Sequence, residues 1–411
     1  TWTAPTNGRA NVSVSSTNTG TAMAIYTGTS VSNLSALASA HGYANNSTLF
    51  NLEAGTICQI AVAGNYLWDL GDYVLALAFV PAPPNDAFPN RIVLAGTNLT
   101  TMGTTVAATK EPGEPAHAGN GGGHSAWWSW TAPANGRLTV TTDGSDFDTL
   151  LAVYTGDSAS ALTLKASNDD ASGSDPTSRL SFDVAAGVRY EIAVDGYNAA
   201  EGAVRLGLAF LPAPGNDDFV NRIVLAGSSV TASGSNLGAT RETGEPRHGG
   251  YTNGHSVWWT WTAPADGVAE IQAVSDFSNV IGVYTGDSLS NLTARAVGTV
   301  SGTRQKVSFN VLSGEAYQIA LDGKSGGSGA TSLNLSFQFA VRLFIERDQP
   351  HGGFRLTLTG EPGARYDIFA STNLVNWVWL NTVTNQAGTT EFEDAAAAGF
   401  DRRFYRASKT P

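Results

Sequence analysis

The sequence predicts an all-β protein made of tandem antiparallel β-sandwich (jelly-roll-like) domains, followed by a small immunoglobulin-like sandwich. The first observation is repetition: WWSWTAPANG at residues 127–136 returns as WWTWTAPADG at residues 258–267, and the chain opens with TWTAPTNG. The second is that apolar and polar residues alternate in short runs, as in strands, with Gly, Asn, Asp or Pro turns between them. The two full copies of the motif begin 131 residues apart. A repeat of this length is a whole domain, because solenoid repeats span only about 20–50 residues.

The repeated motifs divide the chain into four predicted domains. An incomplete first repeat covers residues 1–80, complete repeats cover residues 85–211 and 216–340, and a different sequence fills residues 341–411. The stretches VPAPPND and LPAPGND precede the complete repeats. Because proline fixes φ and lacks a backbone donor, we expect these linkers to be stiff. Short alternating runs in the last domain are typical of an immunoglobulin-like or fibronectin-like sandwich.

The Trp-rich strand of each complete repeat predicts which side chains form the core. Alternation places Trp128 and Trp130 on one face of the strand and Trp127 on the other. We interpret the first pair, and its counterparts Trp259 and Trp261, as core residues rather than a platform on which a ligand stacks.

Composition excludes several classes of function. Lys and Arg number 23 against 35 Asp and Glu, so the formal charge is −12. No basic run exists, which argues against nucleic acid and against an anionic membrane surface as partners. No apolar stretch approaches the roughly 20 residues of a membrane-spanning helix, so we expect no membrane insertion. The only cysteine, Cys58, is expected to be a buried apolar residue.

Several motifs of the complete repeats together resemble the bacterial pre-peptidase C-terminal (PPC) domain family. They are NDDFVNRIVLAG, the GEPxH loop before the Trp-rich strand, SDFDTLLAVYTGD, ASNDD and YEIAVDGYN. The resemblance implies non-catalytic, extracellular β-sandwich domains that are often attached to secreted hydrolases or adhesins, and some members bind calcium. The last domain, with YDIFASTNLVNWVWL and FYRA, resembles a short C-terminal module of secreted bacterial proteins.

Oxygen-bearing side chains of the second repeat form a candidate calcium site. They come from three segments: Asp146 and Asp148, then Asn168, Asp169 and Asp170, and finally Asp195. Calcium takes about 6–8 oxygen ligands, and flexible loops supply them well. The alternative is that these residues only form turns, for which Asp and Asn are well suited. The third repeat has Ser278 in place of Asp148 and lacks the Asn-Asp-Asp run, so we expect calcium only in the second repeat.

Two other constellations are weaker as sites. Glu114, His117 and His124 have metal-ligating side chains, and Glu245, His248 and His255 match them, but the zinc-binding H-E-x-x-H spacing is absent. We favour a turn-forming or interface role for this loop. GHSAW and GHSVW superficially resemble a nucleophile elbow but lack its second glycine. We therefore predict that the chain is not an enzyme.

The first repeat lacks the stretch that precedes the Trp-rich strand in the complete repeats. Either that stretch precedes Thr1, or strands from another copy fill the gap by β-augmentation. A head-to-tail contact of the second kind does not close and builds a filament. We therefore expect a secreted or cell-surface structural or adhesive protein that forms a homopolymer or binds cell-surface or matrix components. The alternative is the accessory C-terminal region of a secreted hydrolase.

Overall fold

The computed structural model describes residues 1–251, 254–298, 302–347 and 353–410, and strands account for most of their regular structure. The predicted all-β class is therefore confirmed. The helices described are short 3-10 segments: Val31–Asn33, Phe88–Asn90, Ala159–Ala161, Tyr197–Ala199, Phe219–Asn221, His248–Gly250, Leu289–Asn291, Lys324–Gly326 and Ala395–Gly399. The chain forms two compact units, Thr1–Pro212 and Ala213–Pro411.

The first repeat is one five-stranded antiparallel sheet. Its strands are β1 (Trp2–Thr3), β2 (Gly8–Thr27), β3 (Ser35–Leu52), β4 (Ile57–Gly64) and β5 (Tyr73–Pro81). The order is β1-β4-β2-β3, and β5 pairs with the first half of β2 while β4 pairs with its second half. Apolar residues from both halves of β2 enclose one core with Cys58, which is fully buried as predicted.

The second repeat is a two-sheet sandwich. Its strands are β6 (Ile92–Leu94), β7 (Asn98–Thr104), β8 (Ala126–Thr131), β9 (Gly136–Thr141), β10 (Thr149–Thr155), β11 (Thr163–Asn168), β12 (Arg179–Val184), β13 (Arg189–Gly196) and β14 (Ala203–Pro212). They form sheets of order β11-β10-β13-β8-β6 and β12-β9-β14-β7. The pairing of β6 with β8 is parallel, unlike the purely antiparallel arrangement that the sequence predicts.

The Trp-rich strand β8 contributes to two separate apolar clusters. Trp128 and Trp130 pack between the two sheets with the main core of the repeat. Trp127 faces the other way and is also fully buried, against Phe88 and Tyr154. The predicted core assignment is confirmed, and the outer side of β8 is covered as well.

The third repeat has the same arrangement as the second. Its strands are β15 (Ile223–Leu225), β16 (Ser229–Ser235), β17 (Val257–Thr262), β18 (Gly267–Ser275), β19 (Asn279–Thr285), β20 (Thr293–Val297), β21 (Arg304–Val311), β22 (Ala316–Gly323) and β23 (Ala330–Phe339). The sheets have the orders β15-β17-β22-β19-β20 and β16-β23-β18-β21, and β15 runs parallel to β17. Trp259 and Trp261 lie in its core, as predicted.

The C-terminal domain contains two three-stranded antiparallel sheets. Its strands are β24 (Arg342–Arg347), β25 (Phe354–Thr359), β26 (Arg365–Ser371), β27 (Val378–Thr384), β28 (Thr389–Asp394) and β29 (Phe404–Lys409). The sheet orders are β24-β25-β28 and β27-β26-β29. A small core that includes Leu358, Tyr366 and Ile368 belongs to this domain, as expected for a small immunoglobulin-like sandwich.

Candidate functional site

The acidic side chains of the second repeat lie where the chain crosses from one sheet to the other. Asp148 precedes β10, and Asp169 and Asp170 follow β11. A carboxylate oxygen from each of the three lies within 4.8 Å of the others. In the first repeat β2 and β3 run without interruption through the equivalent positions, so they have no such loops.

The carboxylates of this cluster disfavour one another's charged forms. Burial raises the pKa of Asp148 and Asp169, and the nearby charge of Asp170 raises both further. The Oδ1 atoms of Asp148 and Asp169 are also buried without a hydrogen-bond partner. A divalent cation with oxygen ligands would both neutralise the charge and satisfy these atoms.

The other three predicted ligands have different surroundings. Asp146 Oδ1 accepts a hydrogen bond from the backbone N–H of Ala203 at 2.7 Å. The Asn168 amide lies beside the cluster, donating to the Asp170 carbonyl and accepting from the N–H of Arg179. Of the six predicted residues, the structure therefore groups three carboxylates, with Asn168 next to them.

Asp195, the sixth predicted calcium ligand, does not lie beside Asp148, Asp169 and Asp170. Its buried carboxylate accepts hydrogen bonds from the backbone N–H groups of Gly123, His124 and Gly196, at 2.8–3.0 Å for Oδ1. The position follows from the face of β13 on which Asp195 lies. Asp195 pairs with Leu150 of β10, and on this face its side chain contacts the glycine-rich loop. Asp195 is therefore an anchor for that loop and not a member of the carboxylate cluster.

A buried hydroxyl network, which the sequence does not predict, holds the two acidic loops together. Thr149 Oγ1 lies 2.7 Å from Thr142 Oγ1 and 2.9 Å from Ser178 Oγ. Ser178 Oγ also lies 2.7 Å from the backbone carbonyl of Asp169, to which it can donate. Single Ser and Thr residues beside turns are too common in this sequence to have predicted it.

The histidine and glutamate side chains of the GEPxH loop form a closed internal network. His117 is fully buried, with Nδ1 2.8 Å from Tyr154 Oη and Nε2 2.8 Å from Glu114 Oε1. His124 Nδ1 lies 2.6 Å from the carbonyl of Ala108. Because both ring nitrogens of His117 are engaged within the protein, these residues do not present an open zinc site.

The third repeat has the same network at nearly the same distances. His248 Nδ1 lies 2.7 Å from Tyr284 Oη, and its Nε2 lies 2.9 Å from Glu245 Oε1. Burial, with the charges of Glu245 and Asp322, raises the pKa of Tyr284 to about 12. In the second repeat burial opposes ionisation of Glu114, yet hydrogen bonds from His117 and from the backbone N–H of Glu111 help to outweigh it, and the pKa of Glu114 is lowered. In the second repeat the network therefore holds Glu114 as a charged carboxylate among neighbouring donors.

The serines of the GHSxW motifs are not exposed nucleophiles. Ser125 is buried and donates to the carbonyl of Thr109 at 3.2 Å. Ser256 is also buried and donates to Glu245. Both therefore belong to the internal polar network of their repeat.

No helix in the described ranges is long and apolar enough to cross a bilayer.

Comparison with known proteins finds a family match within the second repeat. Residues 124–196 match the model of the bacterial pre-peptidase C-terminal domain family. No curated protein matches the sequence at a significant level. The match includes the six strands from β8 to β13, and so spans the carboxylate cluster, Asp195 and the Trp-rich strand.

Similar solved structures include three proteins of different kinds. The CUB1-EGF-CUB2 domains of rat MASP-1 have 8% identity and a TM-score of 0.19, covering 60% of this chain and 99% of that one. A GH2 β-galacturonidase from Eisenbergiella tayi has 8% identity and a TM-score of 0.16, covering 67% of this chain and 37% of that one. A triple jelly roll protein of an archaeal virus has 9% identity and a TM-score of 0.16, with 80% and 78% covered.

These TM-scores are too low to support any statement about function. The domain assignment depends on the family match, on the internal repeats and on the sheets described above. The resemblance expected from the sequence is confirmed: the chain contains tandem β-sandwich repeats, and residues 124–196 of the second repeat match the bacterial pre-peptidase C-terminal domain.

Proposed function

We propose that this protein is an extracellular structural or adhesive repeat protein whose first repeat is completed by a β-strand from another copy of the chain. Tandem β-sandwich domains of a non-catalytic family type support the structural role. The observation that carries the proposal is the open edge of strand β5 in the first repeat.

Strand β5 has the same place in its repeat as β14 in the second repeat. Pro81 lies opposite Gly8 as Pro212 lies opposite Gly136, so Leu75 is the counterpart of Leu206. Strand β14 pairs with β9 on one side and with β7 on the other, whereas β5 pairs only with β2 among the described strands.

The missing neighbour leaves apolar surface and backbone groups uncovered. Leu75 is 42% exposed, whereas its counterpart Leu206 is fully buried. Tyr73, Val74 and Val80 of the same strand are exposed as well. An unpaired edge of this length, without a proline or a lysine among its central residues, is a template for another strand. A strand added there would form ladder hydrogen bonds and cover Leu75.

Strand β7 of the second repeat shows the kind of strand that fits. In the second repeat Leu99 lies opposite Leu208 and Thr101 opposite Leu206. Gly103 lies so close to Trp128 that a Cβ atom would come within 2.8 Å of its ring. We therefore expect a donor of the form Leu-x-Thr-x-Gly, as in β7. Donation from one copy to the next is head-to-tail and produces a filament.

A matched pair of substitutions tests this proposal. Leu75→Lys is expected to abolish filaments, because it puts a charge where the donor strand must pack. Val74→Arg is expected to leave them intact, since Arg205 is the native residue at this position in the second repeat. Electron microscopy and sedimentation of concentrated protein measure the result, and circular dichroism checks that both variants fold.

Filaments that persist in Leu75→Lys, or protein that stays monomeric without any substitution, would contradict the proposal. A segment preceding Thr1 in a longer polypeptide would fill the same edge from within. In that case the longer polypeptide would stay monomeric, and adding a synthetic peptide of residues 98–104 would not change its β5 hydrogen exchange.

A second function is favoured by the family match alone. Because the matched family takes its name from peptidases, the chain is alternatively an accessory region of a secreted hydrolase. A peptidase or glycosidase domain in the same polypeptide would favour this function, whereas further repeats would favour the structural one.

We also propose that the second repeat binds Ca²⁺ through Asp148, Asp169 and Asp170. Three carboxylates within 4.8 Å, two of them with a buried unpaired oxygen, support this ligand set. Loop carbonyls and water would supply the remaining oxygens that calcium requires.

Saturating Ca²⁺ is expected to raise the melting temperature of the second repeat by about 5 °C or more, because only the folded state assembles the site. Asp148→Asn combined with Asp169→Asn is expected to remove this shift. The control is Asp157→Asn, which changes a highly exposed carboxylate of the same repeat. A melt that neither Ca²⁺ nor a chelator alters would contradict the calcium proposal.

A further inference from the structure

We propose that the outer face of the β27-β26-β29 sheet in the C-terminal domain binds a polysaccharide that carries carboxylate groups. This surface shares no residue with the β5 edge or with the carboxylate cluster. The opposite face of the same sheet is buried, with Tyr366 and Ile368 in the core of the domain.

The first feature of this outer face is a row of aromatic and cationic side chains across three strands. Phe369 of β26 lies opposite Trp379 of β27 and opposite Arg406 of β29. Directly opposed residues of antiparallel strands place their side chains on the same face. Trp379 is 55% exposed, which is unusual for a tryptophan in a folded domain. Within the row, Trp379 offers an exposed flat ring for the apolar C–H face of a sugar.

Arg406 gives the row its charge specificity. Its guanidinium carbon lies 4.9 Å from the centre of the Phe369 ring and 4.5 Å from that of Trp377. The side chain is exposed, and no carboxylate of the described chain is within ion-pairing distance of it. A guanidinium that packs over aromatic rings can still present its N–H edge to a planar carboxylate.

The next row along the strands is polar. Asp367 lies opposite Thr382 on one side and Ser408 on the other. Asp367 accepts hydrogen bonds from Thr382 and, at 3.3 Å, from the indole N–H of Trp379. This row is about 7 Å from the aromatic row, because two residues of a strand span that distance. Hydroxyl groups at this spacing can bond the hydroxyls of a sugar stacked on the rings.

Charge distribution makes the C-terminal domain the part of the chain best suited to an acidic polymer. Residues 341–411 contain eight Lys or Arg and eight Asp or Glu. Residues 1–340 contain 15 Lys or Arg and 27 Asp or Glu. The net charge of −12 therefore belongs entirely to the three repeats, which would repel a polyanion. Arg365, exposed on the same face and two residues from Asp367, adds a second guanidinium.

Binding of the full chain to soluble polygalacturonate tests this proposal. We expect titration calorimetry to detect binding, and Trp379→Ala and Arg406→Gln each to weaken it about tenfold. Phe344→Ala is the matched control, because Phe344 is an exposed aromatic residue on β24, in the other sheet of the same domain. This control is expected to bind as well as the unaltered chain, and thermal melts check that every variant is folded.

Three results would overturn the proposal. These are no binding to polygalacturonate or alginate, binding that the Trp379 and Arg406 substitutions leave unchanged, and equal binding to the neutral polymer dextran. Binding to the acidic polymers that weakens in both variants and with added salt supports it. The assay uses protein below its assembly concentration, so it does not depend on filament formation.

Discussion

Asp195→Ala is expected to lower the unfolding free energy of the second repeat by about 3–5 kcal/mol. The substitution removes a buried carboxylate that accepts hydrogen bonds from Gly123, His124 and Gly196. Each buried donor left without a partner costs about 1–3 kcal/mol. Chemical denaturation followed by tryptophan fluorescence measures the loss, because the buried tryptophans of this repeat become exposed on unfolding.

The response to calcium separates this role of Asp195 from that of a metal ligand. We expect folded Asp195→Ala to retain the Ca²⁺-dependent rise in melting temperature, whereas the Asp148 and Asp169 double variant loses it. Asp157→Ala is the control for removing a carboxylate and is expected to change stability by less than about 0.5 kcal/mol. If Asp195→Ala kept full stability but lost the calcium response, Asp195 would be a ligand after all.

His117→Ala is expected to cost the second repeat about 3–5 kcal/mol. The substitution leaves the buried Glu114 carboxylate without one of its donors and Tyr154 without its imidazole partner. It also opens a cavity beside Trp127, whose ring centre lies 5.5 Å from that of His117. Denaturant unfolding measures the loss.

The repeats provide internal controls for this prediction. His248→Ala is expected to cost the third repeat a similar amount, since its distances to Tyr284 and Glu245 are nearly the same. His41→Ala, at an exposed position of β3, is expected to be close to neutral. A small effect of His117→Ala with a large effect of His248→Ala would contradict the equivalence of the two networks.

Local alternation explains why much of the fold could be predicted. The faces of Trp127, Trp128 and Trp130 follow from the period of a strand, which depends only on neighbouring residues. The parallel pairing of β6 with β8 could not be predicted, because it depends on which distant segments meet. The uninterrupted strands β2 and β3 could not be predicted either, because the first repeat has the same strand motifs as the complete repeats.

The candidate site could be predicted only in part for a related reason. Asp148, Asp169 and Asp170 meet because two loops cross between sheets at the same end of the sandwich. The sequence does contain evidence that Asp195 lies away from the other predicted ligands. Alternation along β13 puts Asp195 on the same face as Ala193, which lies opposite Trp127. The platform of Trp379 and Arg406 depends on the register of three strands, which the sequence does not show.

Hydrogen exchange of the β5 backbone amides at several protein concentrations tests the central claim most directly. If another copy completes the first repeat, amides of Tyr73–Pro81 that do not pair with β2 exchange rapidly in dilute protein. They become protected as filaments form, in parallel with the mass of the assembly. Amides that are protected at all dilutions, or exposed at all concentrations, would contradict strand donation between copies.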